Sequence, residues 1–195
     1  MRTDDGHARE LRRDVVRERG IRVGTYVSDA ELQAGARESE LRSARGAAIR
    51  FLRTRPRSVA EVEQRLTRGG APPDVVAETV EEMRRAGYLD DAAFAAAWVE
   101  SRLRLRPKAA NVIARELAEK GIDAETAESA LADAMPDEEA LARRLAEKRA
   151  TQLPGVDRAA FYRRLGAFLA RRGFGQSITG PLIDELWKKR DNQPD

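Results

Sequence analysis

Cysteine is absent from all 195 residues, which excludes disulfides and thiolate metal sites and suits a reducing cytoplasm. Histidine occurs once, as His7 in the polar opening MRTDDGHARELRRD, so a histidine-based triad or a histidine-rich metal site has no material to work with. That opening also lacks the apolar core of a signal peptide. No stretch approaches the roughly 18 apolar residues that a bilayer-spanning helix needs. A soluble, cytoplasmic protein without membrane contact is expected. The glycine-rich patterns that cradle phosphates in nucleotide-binding loops are missing too. Acid pairs such as Asp90–Asp91 could serve paired-carboxylate chemistry only by converging in a pocket, and nothing in the pattern brings that about. The expectation is a protein that is not an enzyme and carries no cofactor or metal.

What is abundant is charge. Charged residues make up 35% of the chain, against about 25% in an average globular domain, and aromatics only 5%. With 42% hydrophobic residues the chain can bury a core, but a thin or divided one. The 36 lysines and arginines are nearly offset by 33 acids, leaving a net charge of +3. Partners with negative surface are favoured, although a balance this even does not single out nucleic acid.

Helix signals dominate the chain. Strand-like alternation appears only in IRVGTYV, Ile21 to Val27, which reads as a short hairpin or extended arm. Ser28 with Glu31, and Ser58 with Glu61, have the capping-box spacing at the start of helices, the first of which Gly35 can interrupt. Gly69–Gly70 ends the helix begun at Ser58, and Pro72–Pro73 opens the next, which Gly87 closes. Further helices run from Asp90, from Pro107 to Gly121, from Asp123, from Pro136 to about Gln152, from Asp157 to Arg172 and from Gln176 to Lys189, with RDNQPD as a frayed tail.

These elements repeat. LTRGGA, LAEKGI and LARRGF place Leu66, Leu117 and Leu169 four residues before Gly70, Gly121 and Gly173, at spacings of 51 and then 52 residues. One turn before each leucine stand Val62, Ile113 and Leu165; ten residues after each glycine come Val80, Leu131 and Ile183. Each unit therefore reads as three helices: a leading helix, one that ends in glycine, and a returning one. Units of this size stack and share a discontinuous core. The boundaries expected are 1–42 for an N-terminal arm and lead-in helix, 43–89, 90–136 and 137–190 for the repeats, and 191–195 for the tail. Cap chemistry explains the leucine and glycine positions fully, so they read as structure.

The basic residues are harder to dismiss. LRTRPRS (Leu52 to Ser58) returns as LRLRPKA (Leu103 to Ala109), 51 positions on, at equivalent points of two repeats. A helix C-terminus accounts for one or two cations, not for four in a repeated pattern. Arg50, Arg53, Arg55 and Arg57 in the first unit, and Arg102, Arg104, Arg106 and Lys108 in the second, are candidate partner-binding residues. A further cluster in the last unit includes Arg143, Arg144, Lys148, Arg149, Arg163, Arg164, Arg171 and Arg172. Arg144 and Lys148 lie one turn apart and Arg164 and Arg171 roughly two, which aligns them in stripes. Of this cluster, Arg144, Lys148, Arg163, Arg164, Arg171 and Arg172 are the binding candidates. Such arginines suit phosphates and acidic protein surfaces alike. A helix-turn-helix that reads an operator is disfavoured, because the helix after the turn is acidic in VVAETVEEM and in AETAESALADA. In GYLDD, Gly87 ends a helix, Tyr88 and Leu89 form a packing elbow and Asp90 caps the next helix; Phe94 and Trp98, one turn apart, read as core.

FLRTRPRSVAEVEQRL, GYLDDAAFAAAWV, IARELAEKGI and FLARRGF, in that order, resemble the RecX family of bacterial RecA regulators. The likeness runs from about Ala44 to Leu186, with one departure: Pro107 stands where the family often has glycine. It implies an all-α protein of three tandem three-helix repeats in an elongated, curved array behind a short N-terminal arm. It also implies a non-enzymatic modulator that binds the RecA filament on single-stranded DNA, in its helical groove and with direct contacts to DNA phosphates possible, and restrains ATP hydrolysis, strand exchange and co-protease function. A monomer is expected. An autonomous nucleic-acid-binding module and a passive helical scaffold are the competing readings.

Overall fold

The computed structural model describes residues 10–24 and 26–191. His7 and the last four residues of the tail lie outside them. The described residues form ten helices and no strand: α1 (Arg13–Glu18), α2 (Asp29–Leu52), α3 (Val59–Arg68), α4 (Pro73–Arg85), α5 (Asp91–Leu105), α6 (Ala110–Glu119), α7 (Ala124–Ala134), α8 (Glu138–Ala150), α9 (Arg158–Ala170) and α10 (Gln176–Asp191). Within each of the triplets α2–α4, α5–α7 and α8–α10 the helices pack on one another, giving three tandem three-helix repeats. The chain forms two compact units, one ending at Asp90 and holding the first repeat, the other starting at Asp91 and holding the second and third.

Local chemistry sets the helix ends. Ser28 and Ser58 each accept a hydrogen bond from the backbone N–H three residues on, while Glu31 and Glu61 accept from the cap N–H, completing both capping boxes. Asp123, Asp137 and Asp157 cap α7, α8 and α9 in the same manner through one oxygen each. The three repeated helix ends are built alike. The N–H of Ala71, Ile122 and Phe174 donates to the carbonyl of Leu66, Leu117 and Leu169 at 3.2, 3.1 and 3.3 Å. The intervening Gly70, Gly121 and Gly173 have φ of +83°, +77° and +90°. This six-residue closure needs a left-handed residue, which only glycine adopts without cost, and it folds the residue beyond back onto the leucine.

The leucines do the packing that the spacing foretells. Leu66, Leu117 and Leu169 are buried, as are Val62, Ile113 and Leu165 one turn earlier and Val80, Leu131 and Ile183 on the returning helices. Each such side chain contributes about 1.5–3 kcal/mol by leaving water. The resulting core is divided, as the composition suggests. One cluster, from Ala44 to Leu89, lies inside the first repeat. A second runs from Phe94 to Leu131. A third, around Phe161, Leu165 and Leu169, takes in Ala109 from the second repeat. Leu103 and Met135 pack against both of the last two, so the second and third repeats share one interior.

Several expectations are corrected. No hairpin forms among the described residues of 21–27. The N–H of Ile21 instead closes α1 by donating to Val16 at 3.0 Å, around Gly20 at φ +66°. Val23 and Tyr26 stand fully in solvent, so a lone hairpin would have had nothing to bury. α2 is continuous through Gly35, which takes a helical conformation and has room for a Cβ in ordinary contact with Leu11 and the stem of Arg19. Pro107 and Pro136 precede their helices by three and two residues. α10 runs through Arg190 and Asp191, two residues beyond the expected end. Of the GYLDD elbow, Leu89 is buried but Tyr88 is exposed.

Candidate partner-binding surface

The two basic strings look alike in sequence, yet their side chains are used differently. In the first, Arg55 donates to both oxygens of Glu61, at 3.1 and 2.8 Å. Arg57 lies flat on Phe51, its guanidinium carbon 3.8 Å from the ring centroid, and donates to Thr54. Burial, helped by the neighbouring Arg55 charge, pulls its pKa below the usual arginine value. Arg50 and Arg53 are exposed and meet no carboxylate.

In the second string an acid on α6 gathers the cations. Glu116 accepts from the Nε of Arg102 and the Nζ of Lys108, and from the Trp98 indole at 3.0 Å. Burial alone would raise the Glu116 carboxyl; the hydrogen bonds from Lys108, Arg102 and Trp98 overcome it and hold the pKa below the ordinary value. Arg102 also stacks on Trp98 at 4.0 Å from the ring centroid. Arg104 and Arg106 remain exposed and meet no carboxylate.

The third cluster is organised around a ring. Arg172 lies on Phe168 at 3.7 Å from the centroid and donates to the Phe168 carbonyl at 3.1 Å. Arg149, from the end of α8, stands 5.6 Å from the same centroid and donates to Gln152 at 2.8 Å. Burial first, then the charges of Arg171 and Arg149, pull the pKa of Arg172 down. None of the three is paired with an acid among the described residues. Arg144 and Lys148 on α8, and Arg163, Arg164 and Arg171 on and just after α9, are exposed. Arg143 differs: Glu185 on α10 accepts from it through both oxygens, at 2.8 and 2.9 Å.

One contact joins the second string to the third cluster. The N–H of Ala109, the last residue of LRLRPKA, donates to the Arg172 carbonyl at 2.8 Å. The next residue, Gly173, faces this turn so closely that a Cβ would lie 2.2 Å from Val112 Cγ2 and 2.8 Å from Asn111 Oδ1. At the equivalent Gly70 a Cβ would meet nothing within 4 Å. The turn of the second repeat thus seats on the helix end of the third.

Sequence reasoning missed the acid and the rings. Glu116 is eight residues beyond Lys108 and on a different helix from Arg102, so only the tertiary fold unites them. Phe168 had a local signal: it stands four residues after Arg164 and four before Arg172, on one helix face.

The fold and surface define a helical-repeat protein with exposed arginine clusters; the described residues hold no group of three or more histidines or acids suited to a metal ion. The family descriptions "RecX, first three-helix domain", "RecX, second three-helix domain" and "RecX, third three-helix domain" match residues 44–83, 90–131 and 137–179. Regulatory protein RecX of Mycolicibacterium smegmatis is 35% identical over 174 residues, covering 86% of this chain and 92% of its own. That of Thermobifida fusca is 35% identical over 143 residues, covering 73% and 77%. A crystal structure of regulatory protein RecX matches with a TM-score of 0.70 at 21% identity, over 93% of this chain and 92% of that one. RecX from Lactobacillus salivarius matches with 0.65 at 26%, over 75% and 96%. The chain belongs to the RecX family of regulatory proteins.

Proposed function

We propose that this protein binds RecA filaments assembled on single-stranded DNA and restrains their ATPase, recombinase and co-protease activities. It acts as a cytoplasmic monomer without catalysis of its own, the stretches 43–89, 90–136 and 137–190 serving as its three docking modules. The observation that carries this reading is the presence of all three RecX domains, in order, in a chain whose repeats each expose arginines that no acid among the described residues neutralises. Such cations suit the acidic faces of a protein filament and the phosphates within it, and they speed encounter. Among the candidates, Arg50, Arg53, Arg104, Arg106, Arg144, Lys148, Arg163, Arg164 and Arg171 are the exposed set that no carboxylate among the described residues occupies. Arg55, Arg57, Arg102 and Lys108 already hold intramolecular partners and shape the turns that carry the exposed set.

The test is retention on filaments. RecA is assembled on bead-bound single-stranded DNA with a non-hydrolysable ATP analogue, and this protein is added at physiological salt. Retention is expected to rise at least tenfold over beads carrying DNA alone. Equal retention on both would favour the autonomous nucleic-acid-binding module instead.

A further inference from the structure

Acids are spread through most of this chain, yet from Arg158 to Ile183 there are five arginines and no aspartate or glutamate. The fold uses this acid-free stretch to build a local concentration of positive charge. Arg149 from α8 and Arg172 from the turn after α9 come to one ring, and Arg171 precedes Arg172 in the chain. Like charges this close repel, and among the described residues only a ring, a carbonyl and an amide offset that repulsion, with no acid paired to them. Two other partly buried cation groups of the same unit do have an acid: Glu116 serves Arg102 and Lys108, and Glu185 serves Arg143.

The cluster is also held rigid. The backbone of Arg172 is tied to Ala109, and the following Gly173 is wedged against Val112 and Asn111. The guanidinium of Arg172 is oriented by Phe168 on one face and by the Phe168 carbonyl. A preorganised group of planar donors with an unmet need for negative charge is an anion seat. We infer that Arg149 and Arg172, set around Phe168, together with the adjoining exposed Arg171, form a seat for the phosphodiester backbone of single-stranded nucleic acid. A flexible strand can bring successive phosphates into so compact a group, whereas a rigid duplex spreads its charge along an axis and asks for a longer row of cations. This seat deepens the filament reading, since it supplies the contact to the DNA strand.

The experiment uses the full chain and no RecA, so its outcome is independent of whether filaments are regulated. Fluorescence anisotropy follows a labelled oligo-dT and a blunt duplex of the same length over a salt series. R171Q removes an exposed cation and leaves the packing of Phe168 intact; R149Q/R172Q removes the stacked pair. K188Q, on α10 and also exposed, removes the same charge as R171Q from elsewhere in the same repeat. R171Q is expected to weaken oligo-dT binding roughly fivefold and to lower the salt slope by about 0.7, and the double variant by about 1.4, from about 0.7 per phosphate contact. K188Q should change affinity less than twofold. Equal losses for R171Q and K188Q would mean a diffuse field and overturn the seat. Tighter binding to the duplex would overturn its preference for single strands. Unchanged oligo-dT affinity in both R171Q and R149Q/R172Q would overturn the seat and leave the arginines to an acidic protein surface.

Discussion

At the residue scale, the contrast between Gly70 and Gly173 separates two roles of glycine. Both sit in the left-handed region, so replacement by alanine costs about 1–2 kcal/mol at either. Only at Gly173 does the new methyl collide with a neighbouring turn, which adds about 1–3 kcal/mol of overpacking. Urea denaturation should place G173A well below G70A, and equal losses would mean that the seat of Ala109 on Arg172 is not formed. Glu116 is the other decisive residue, with a side chain only 16% exposed and three donors converging on it. E116A is expected to cost about 1–3 kcal/mol, because two cations and an indole N–H lose their acceptor. Trp98 fluorescence should shift with it. The sequence announces Gly173 through its place in the repeat. It gives no sign of Glu116, whose role depends on a tryptophan, an arginine and a lysine brought from elsewhere.

At the scale of elements, α1 meets α2 through the buried Val15, a hydrogen bond from the Arg12 N–H to Ser39 at 3.1 Å, and a set of partly exposed ion pairs. Arg42 of α2 pairs with Glu18 and Glu38 and lies 3.6 Å from Asp14, while Arg19 pairs with Glu38 at 2.9 Å. Arg42 holds Glu18 below its ordinary value across the two helices, while the Asp14 carboxyl is brought down to about 2 by Arg12 within the α1 segment itself. Both pKa values are depressed in the fold. Their contribution is therefore complete above the unfolded carboxylate range near pH 4 and is lost as pH falls through the folded values towards 2. Amide hydrogen exchange should find α1 protected at pH 6 and released near pH 2, ahead of the apolar core of α2–α4. Protection unchanged at pH 2 would contradict an electrostatic clasp. α1 is also the element the sequence conceals. It is six residues long with one buried apolar side chain, Val15, so no periodicity can reveal it. The long helices are legible because their caps lie within three residues and their apolar faces recur every turn.

At the scale of the whole molecule, the three-repeat pattern was readable because the leucine, glycine and returning apolar positions recur at nearly constant spacing and all report on burial. The candidate surface was readable only as a pool of arginines. Whether an arginine faces solvent, a ring or an acid depends on contacts between helices far apart in sequence, as the fates of Arg104 and Arg102 illustrate: one exposed, the other bound to Glu116. A surface of this kind explains how a protein that is not expected to catalyse a reaction can still regulate one, by occupying a larger assembly at few points. The measurement that tests this most directly is the single-stranded-DNA-dependent ATPase rate of the cognate RecA, titrated with this protein well below one molecule per protomer. The account predicts a fall in rate at those substoichiometric ratios, relieved by neutralising Arg53, Arg104 and Arg106 together. An unchanged rate with a fully folded protein would contradict it.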